Sequence, residues 1–249
     1  MQKVSIITVC YNNADTLEST ILSVQLQNYP SIEYIIVDGA STDGTLAVID
    51  KHKDIISRSV SKKDEGIYDA INKGIKMASG DIIGVLHADD FYVSSEIISK
   101  VVNVFEKSGV DCVYGDLQYV DRANPEKVTR HWVAGQYREG LFRKGWMPPH
   151  PTFFIKKECI NKYGDYNLTL HQASDYEFML RMIHKHRIKV GYVPDVLVKM
   201  RIGGASNKSI FNRIKNNLED RKAWKINNIK PSFFTLFIKP ISKIGQFFK

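Results

Sequence analysis

The sequence predicts an α/β fold built on a mostly parallel sheet, on three observations. Apolar, β-rich runs recur at Val4-Ser5-Ile6-Ile7-Thr8-Val9, Tyr34-Ile35-Ile36-Val37 and Ile82-Ile83-Gly84-Val85-Leu86. Stretches with helical spacing of apolar residues follow the first two, and each run stops in polar or Gly-rich residues. Strands that alternate with helices join in parallel through right-handed crossovers. Their carboxyl ends then converge on one polar rim, where ligands of such sheets bind.

The first run leads into Cys10-Tyr11-Asn12-Asn13, and Thr16 to Gln27 sets Leu17, Ile21, Leu22 and Val24 on one helix face. The second leads into Asp38-Gly39-Ala40-Ser41-Thr42-Asp43-Gly44, after which Thr45 to His52 repeats the spacing with Leu46, Val48 and Ile49. In the stretch from Asp64 to Ile75, Asp69 and Asn72 stand three apart and share a helix face. The third run ends in Leu86-His87-Ala88-Asp89-Asp90. Two carboxylates on one short turn suit a hard cation such as Mg²⁺ or Mn²⁺ that keeps positions for substrate phosphates. A polar loop with an Asp cap before a helix at Phe91-Tyr92-Val93-Ser94 is the alternative. Further on, His150-Pro151-Thr152-Phe153-Phe154-Ile155 reads as a strand after a Pro-rich turn, and Asp175 stands where Ala173 to Arg181 opens a helix. His184 and His186, two apart, do not share a helix face and read as solvent-exposed.

Composition narrows the function. The chain has 249 residues and a hydrophobic share of 43%, enough for a full core. Cys10, Cys112 and Cys159 have neither zinc spacing nor a disulfide framework, which fits a reducing cytoplasm. No apolar run approaches a membrane span, and the N-terminal apolar stretch reads as the first strand and not as a signal peptide. Gly44 is followed by Thr45 and not by Lys-Ser or Lys-Thr, and no G-x-G-x-x-G follows a strand, so ATP and NAD lose their support.

Charge is concentrated at the end of the chain. From Arg221 to Lys249 there are seven basic and no acidic residues, leaving 28 basic against 27 acidic before them. Trp224, Phe233, Phe234, Phe237, Phe247 and Phe248 lie among those lysines, and Ile241, Ile244, Phe247 and Phe248 share a helical face after Pro240. A basic, aromatic-rich amphipathic end fits a helix in the interface of an anionic membrane, with docking on the body as the alternative. No nucleic-acid module accompanies it, so nucleic acid is not an expected partner.

The ordered motifs Thr8 to Asn13, Ser23-Val24-Gln25, Glu33 to Thr45, Asp64 to Ile75 and Ala88-Asp89-Asp90 resemble glycosyltransferase family 2, over about residues 4 to 206. The likeness is to bacterial enzymes that build O-antigen and other surface polysaccharides. It implies the GT-A fold, a mostly parallel sheet flanked by helices, with a basic amphipathic helical extension as appendage. Residues 1–207 would form the transferase domain, 1–115 holding the nucleotide-sugar and 116–207 the acceptor, with 208–249 as the tail.

The resemblance also implies site roles. Val9, Tyr11, Asn12, Asp38 and Ser41 would hold the uracil and ribose of a UDP-sugar, Tyr11 by its ring and Asp38 by accepting the base N–H. A packed aromatic and a turn carboxylate are the alternatives. Asp69 and Asn72 would lie near the nucleotide-sugar. Asp89, with Asp90 beside it, would ligate the metal, and His87 stands where the common Asp-x-Asp pattern has its first Asp. Asp175 would be the catalytic base, with a helix cap as the alternative role and Glu177 as the fallback base. Arg201 would meet a phosphate or form a surface ion pair, since Ile202 stands where many members carry a His.

The implied function is an inverting, metal-dependent glycosyltransferase at the cytoplasmic face of the bacterial inner membrane. It would move a hexose or N-acetylhexosamine from a UDP-sugar to a polyprenyl-diphosphate-linked saccharide. A non-catalytic nucleotide-sugar-binding protein of the same fold is the alternative. Expected partners are the donor, the lipid-linked acceptor, an anionic membrane surface and, as an open alternative, a second copy of the chain.

Overall fold

The computed structural model describes residues 1–203 and 219–230. Its N-terminal half follows the expected alternation: β1 (Val4–Cys10), α1 (Leu17–Gln25), β2 (Ile32–Asp38), α2 (Thr45–Lys51), β3 (Arg58–Ser61), α3 (Ile67–Met77) and β4 (Ile82–Val85). β1 is buried along its whole length and β2 along nearly all of it, as runs without polar alternation require. β1 pairs in parallel with β2 on one side and β4 on the other, and β2 pairs in parallel with β3. Cys10 lies opposite Asp38 and Ile7 opposite Val85, so three carboxyl ends share one edge. α3 closes on this sheet so tightly that a Cβ at Gly74 would run into the Ile7 side chain.

The second half departs from the expected parallel order. After β5 (Asp90–Tyr92) and α4 (Ile97–Ser108) come β6 (Cys112–Val120), β7 (Val128–Trp132), β8 (Phe154–Lys156), α5 (Lys157–Tyr163), α6 (Ser174–Met179) and β9 (Val190–Arg201). The strand order is β3-β2-β1-β4-β8-β6-β9-β5, with β7 beside β6. Among the described residues four pairings are parallel and four antiparallel, so the sheet is mixed. The antiparallel pairings all involve the short strands β5, β7 and β8, of three to five residues each.

Local expectations change with this topology. Phe91 and Tyr92 belong to a strand against β9, which removes the helix-cap alternative for Asp89 and Asp90. His150–Thr152 is a 3₁₀ turn, and the strand begins only at Phe154. His186 stacks on Tyr163 with 3.9 Å between centroids and His184 packs on Phe142 and Trp224, so neither is simply solvent-exposed.

The tail expectation changes as well. Residues 219–226 are helical, and Ala223 and Trp224 are fully buried. The Trp224 Nε1–H donates to the Tyr176 hydroxyl at 2.9 Å, and Asn227 Nδ2 donates to Glu177 at 2.8 Å. This part of the expected tail is therefore a brace on α6, and Trp224 is a core residue. Phe233 to Phe248, expected at the membrane interface, lie outside the described residues. No helix among the described residues is long and apolar enough to cross a membrane.

Candidate active site

The first part of the rim is built by the loops after β1 and β2. Asn12 and Ala40 both have positive φ, 54° and 65°, which turns the two loops toward each other. The Asn12 N–H donates to Ser41 Oγ at 2.8 Å, and Asn12 Oδ1 accepts from the Thr42 N–H at 2.9 Å. Tyr11 stands on this frame with 62% of its surface exposed, an open aromatic face. Val9 is a buried core side chain, so it offers a ligand nothing beyond its backbone.

Asp38 is fully buried, and four donors converge on its carboxylate. They are the Ser41 N–H at 3.0 Å, Ser41 Oγ at 2.5 Å, Ser61 Oγ at 2.6 Å and Cys10 Sγ at 3.6 Å. Burial raises its pKa, but these hydrogen bonds outweigh it and the net shift is downward. A base N–H reaches Asp38 only by replacing one of the four, of which the thiol is the weakest. In this structure its work is to hold the loop that carries Ser41.

Asp64, which had no role assigned from sequence, reaches the same place. Its Oδ2 would lie 2.6 Å from a Cβ on Gly39 and the Tyr11 ring 3.3 Å from it, so only glycine admits both. Asp69 and Asn72 do less for the rim. Asp69 pairs with Lys73 at 2.9 Å and accepts the Glu65 N–H, whereas Asn72 is buried and bonds both backbone groups of Tyr166. Asn72 is therefore a strap between α3 and the chain before α6. The spacing of three along the helix did not reveal that partner.

The second part of the rim is the β4–β5 turn. Asp90 is 1% exposed, and its Oδ1 has no hydrogen-bond partner. Burial and then the Asp89 charge push its pKa well up, while Arg201 pulls the other way. A buried carboxylate oxygen without a donor, beside a second carboxylate, fits a hard divalent cation. Among the described residues no group of three or more His, Cys, Asp or Glu side chains is arranged to hold a metal. A cation here would need further oxygens from a substrate diphosphate and water.

Arg201 is 8% exposed, which corrects the surface ion-pair alternative. Its guanidinium donates to the Asp89 carbonyl at 2.8 Å and to Ser19 Oγ at 3.1 Å, and it lies 4.7 Å over the Phe91 ring. It buttresses the acidic turn from behind. Beside that turn, burial and then the neighbouring His150 pull the His87 pKa down to about 4, and His87 Nδ1 has no hydrogen-bond partner.

The third part comes from α6. Asp175 Oδ1 accepts from the Tyr176 N–H at 2.8 Å and the Tyr68 hydroxyl at 3.3 Å, and Oδ2 lies 3.4 Å from His150 Nδ1. The His150 ring meets the His87 ring edge-on at 5.3 Å. His87 feels the charges of both Asp89 and Asp175, and Tyr119 those of both Asp90 and Asp175. Through the contacting rings of His87 and His150, the acidic turn and the expected base therefore face one site. Glu177 is excluded as a fallback base: it is 1% exposed and bound to Arg181 at 2.9 Å and to Asn227.

Comparison with known proteins adds the family. Residues 5–168 match the family described as Glycosyl transferase family 2. The chain belongs to glycosyltransferase family 2. An uncharacterized glycosyltransferase of Mycobacterium tuberculosis is 33% identical over 180 residues, 72% of this chain and 68% of that protein. The Escherichia coli protein WfaP, named as a UDP-Glc:alpha-D-GlcNAc-diphosphoundecaprenol beta-1,3-glucosyltransferase, is 39% identical over 104 residues, 41% of each chain. Among solved structures, the mannosyltransferase PcManGT of Pyrobaculum calidifontis, in complex with GDP-Man and Mn²⁺, superposes with a TM-score of 0.67 at 20% identity. That match covers 97% of this chain and 69% of that one.

The mixed sheet with flanking helices is thus the GT-A fold, and the chain is a glycosyltransferase. The family match ends before α6, so Asp175 rests on its own geometry. His150, Tyr68, Tyr119 and Asp64 join the site without having been assigned to it from sequence. A His in a Pro-flanked turn and a Tyr beside Asp69 were the available signals, but only the packing of distant segments gives them partners.

Proposed function

We propose that the chain transfers a hexose or N-acetylhexosamine from a UDP-sugar, with inversion, to a saccharide on a polyprenyl diphosphate. The observation that carries this reading is the run of contacts from His87, in the acidic turn, through the His150 ring 5.3 Å away to Asp175, 3.4 Å from that ring's Nδ1. Tyr11 stacks on the base, while the Asn12, Asp38 and Ser41 frame fixes the loop around it. Asp175 accepts the proton of the acceptor hydroxyl as its oxygen bonds the anomeric carbon and the bond to the diphosphate breaks on the opposite side. A Mg²⁺ or Mn²⁺ held by Asp89 and Asp90 would supply neutralisation of the charge on the departing diphosphate.

The UDP-sugar donor and lipid-linked acceptor are supported by the likeness to WfaP, and the metal by the orphaned Asp90 oxygen and by the Mn²⁺ in PcManGT. A role in surface polysaccharide synthesis at the cytoplasmic face of the inner membrane extends the same reading. The basic, aromatic residues 231–249 would hold the enzyme to anionic lipid. The test is a panel of UDP- and GDP-sugars with Mn²⁺ or Mg²⁺ and a synthetic N-acetylhexosamine diphosphate-lipid. The expected result is a disaccharide product from one UDP-sugar, abolished by EDTA. Product from a GDP-sugar alone would overturn the donor, and product undiminished by EDTA would overturn the metal.

A further inference from the structure

His150 stands between the two acidic centres of the site and has no part in the reading above. Its ring meets His87 edge-on, and its Nδ1 lies 3.4 Å from Asp175 Oδ2. Tyr68 approaches the other oxygen from α3, its hydroxyl 3.3 Å from Oδ1 and 3.4 Å from the Gln172 carbonyl. A ring nitrogen and a hydroxyl from segments 82 residues apart thus lie beside the two oxygens of one carboxylate. Separations slightly beyond a tight hydrogen bond are common in catalytic pairs before substrate binds.

The segment that carries His150 is stiff. Pro149 and Pro151 fix φ on either side. Thr152 is fully buried: its hydroxyl lies 2.9 Å from the Gly115 and Pro149 carbonyls and accepts from the Gly115 N–H at 3.3 Å, tying the turn to β6. A side chain on such a turn holds its direction against Asp175 in the first turn of α6.

We infer that His150 is a positioning residue for Asp175: its Nδ1, 3.4 Å from Oδ2, and the Tyr68 hydroxyl, 3.3 Å from Oδ1, fix the plane in which the carboxylate receives the acceptor proton. The inference rests on Asp175 being the base. Burial brings the His150 pKa down to about 4, so at neutral pH the ring orients the carboxylate as a neutral donor. A cation in its place would lower the proton affinity of the base further.

The test compares His150→Leu, His150→Asn and His150→Gln with Asp175→Asn, measuring kcat, donor KM and thermal melting of each full-length chain. His150→Asn returns an N–H near the δ position and His150→Gln near the ε position. The inference predicts kcat down about ten- to a hundredfold for His150→Leu and His150→Gln, recovery to within about threefold for His150→Asn, and donor KM changed less than about twofold. If His150→Leu does not fold, the Asn–Gln contrast decides. Equal activity of the Asn and Gln variants, or a rise in KM with kcat intact, overturns the inference while Asp175→Asn remains inactive. Full activity of Asp175→Asn would instead overturn the reading of the base.

Discussion

Asp175 and Glu177 stand two residues apart on one helix and do different work. Glu177 is sealed against Arg181 and Asn227, so Glu177→Gln should cost about 3–5 kcal/mol of stability, as breaking a buried ion pair does, while the folded fraction keeps its turnover. Urea denaturation with specific activity corrected for the folded fraction checks both halves. Asp38→Ala would strand the Ser41 and Ser61 donors and should cost about 1–3 kcal/mol, read in the same denaturation experiment, together with weaker UDP binding by calorimetry. Asp89 and Asp90 were singled out by their place at a strand end, and Asp175 by its place at a helix start together with the family resemblance. His150, Tyr68 and Asp64 carry no such local signature, and their meaning comes from Asp175, Gly39 and Tyr11, far away in the chain.

The first two strands were legible as elements because their runs are buried on both faces and leave nothing to alternate. The short strands β5 and β7 were not, since three to five residues carry too little pattern to separate strand from turn, and the strand expected from His150 begins only at Phe154. The helix at 219–226 fell within the stretch expected at a membrane interface, with docking on the body as the alternative: its charges were visible, but not the Tyr176 and Glu177 partners that bury it. Trp224→Ala should therefore cost about 3–5 kcal/mol, seen as a lowered melting temperature. Deleting residues 231–249 should leave that temperature and soluble-substrate turnover unchanged while releasing the enzyme from anionic liposomes. Retained liposome binding by the truncated chain would contradict the membrane role.

Across the whole molecule, the carboxyl ends of β1, β2 and β4 share one edge of the sheet. pH acts on this half of the sheet through a buried carboxylate. Glu33, buried in β2, has burial raising its pKa, but hydrogen bonds from Ser5 and Ser79 outweigh it and hold it at about 2, against 4.5 for an ordinary glutamate. A folded pKa below the unfolded one means that the stabilisation is present above about pH 4.5 and is lost as pH falls toward 2. The stability gap between wild type and Glu33→Gln, measured by urea denaturation, should therefore narrow from pH 6 to pH 3. The rim carries the catalytic claim, which one comparison reaches most directly: single-turnover rates of wild type and Asp175→Asn with the cognate UDP-sugar and lipid-linked acceptor. A general base in the family 2 site predicts a loss of about 10² to 10⁴ in rate with donor affinity preserved, and wild-type turnover by Asp175→Asn would contradict it.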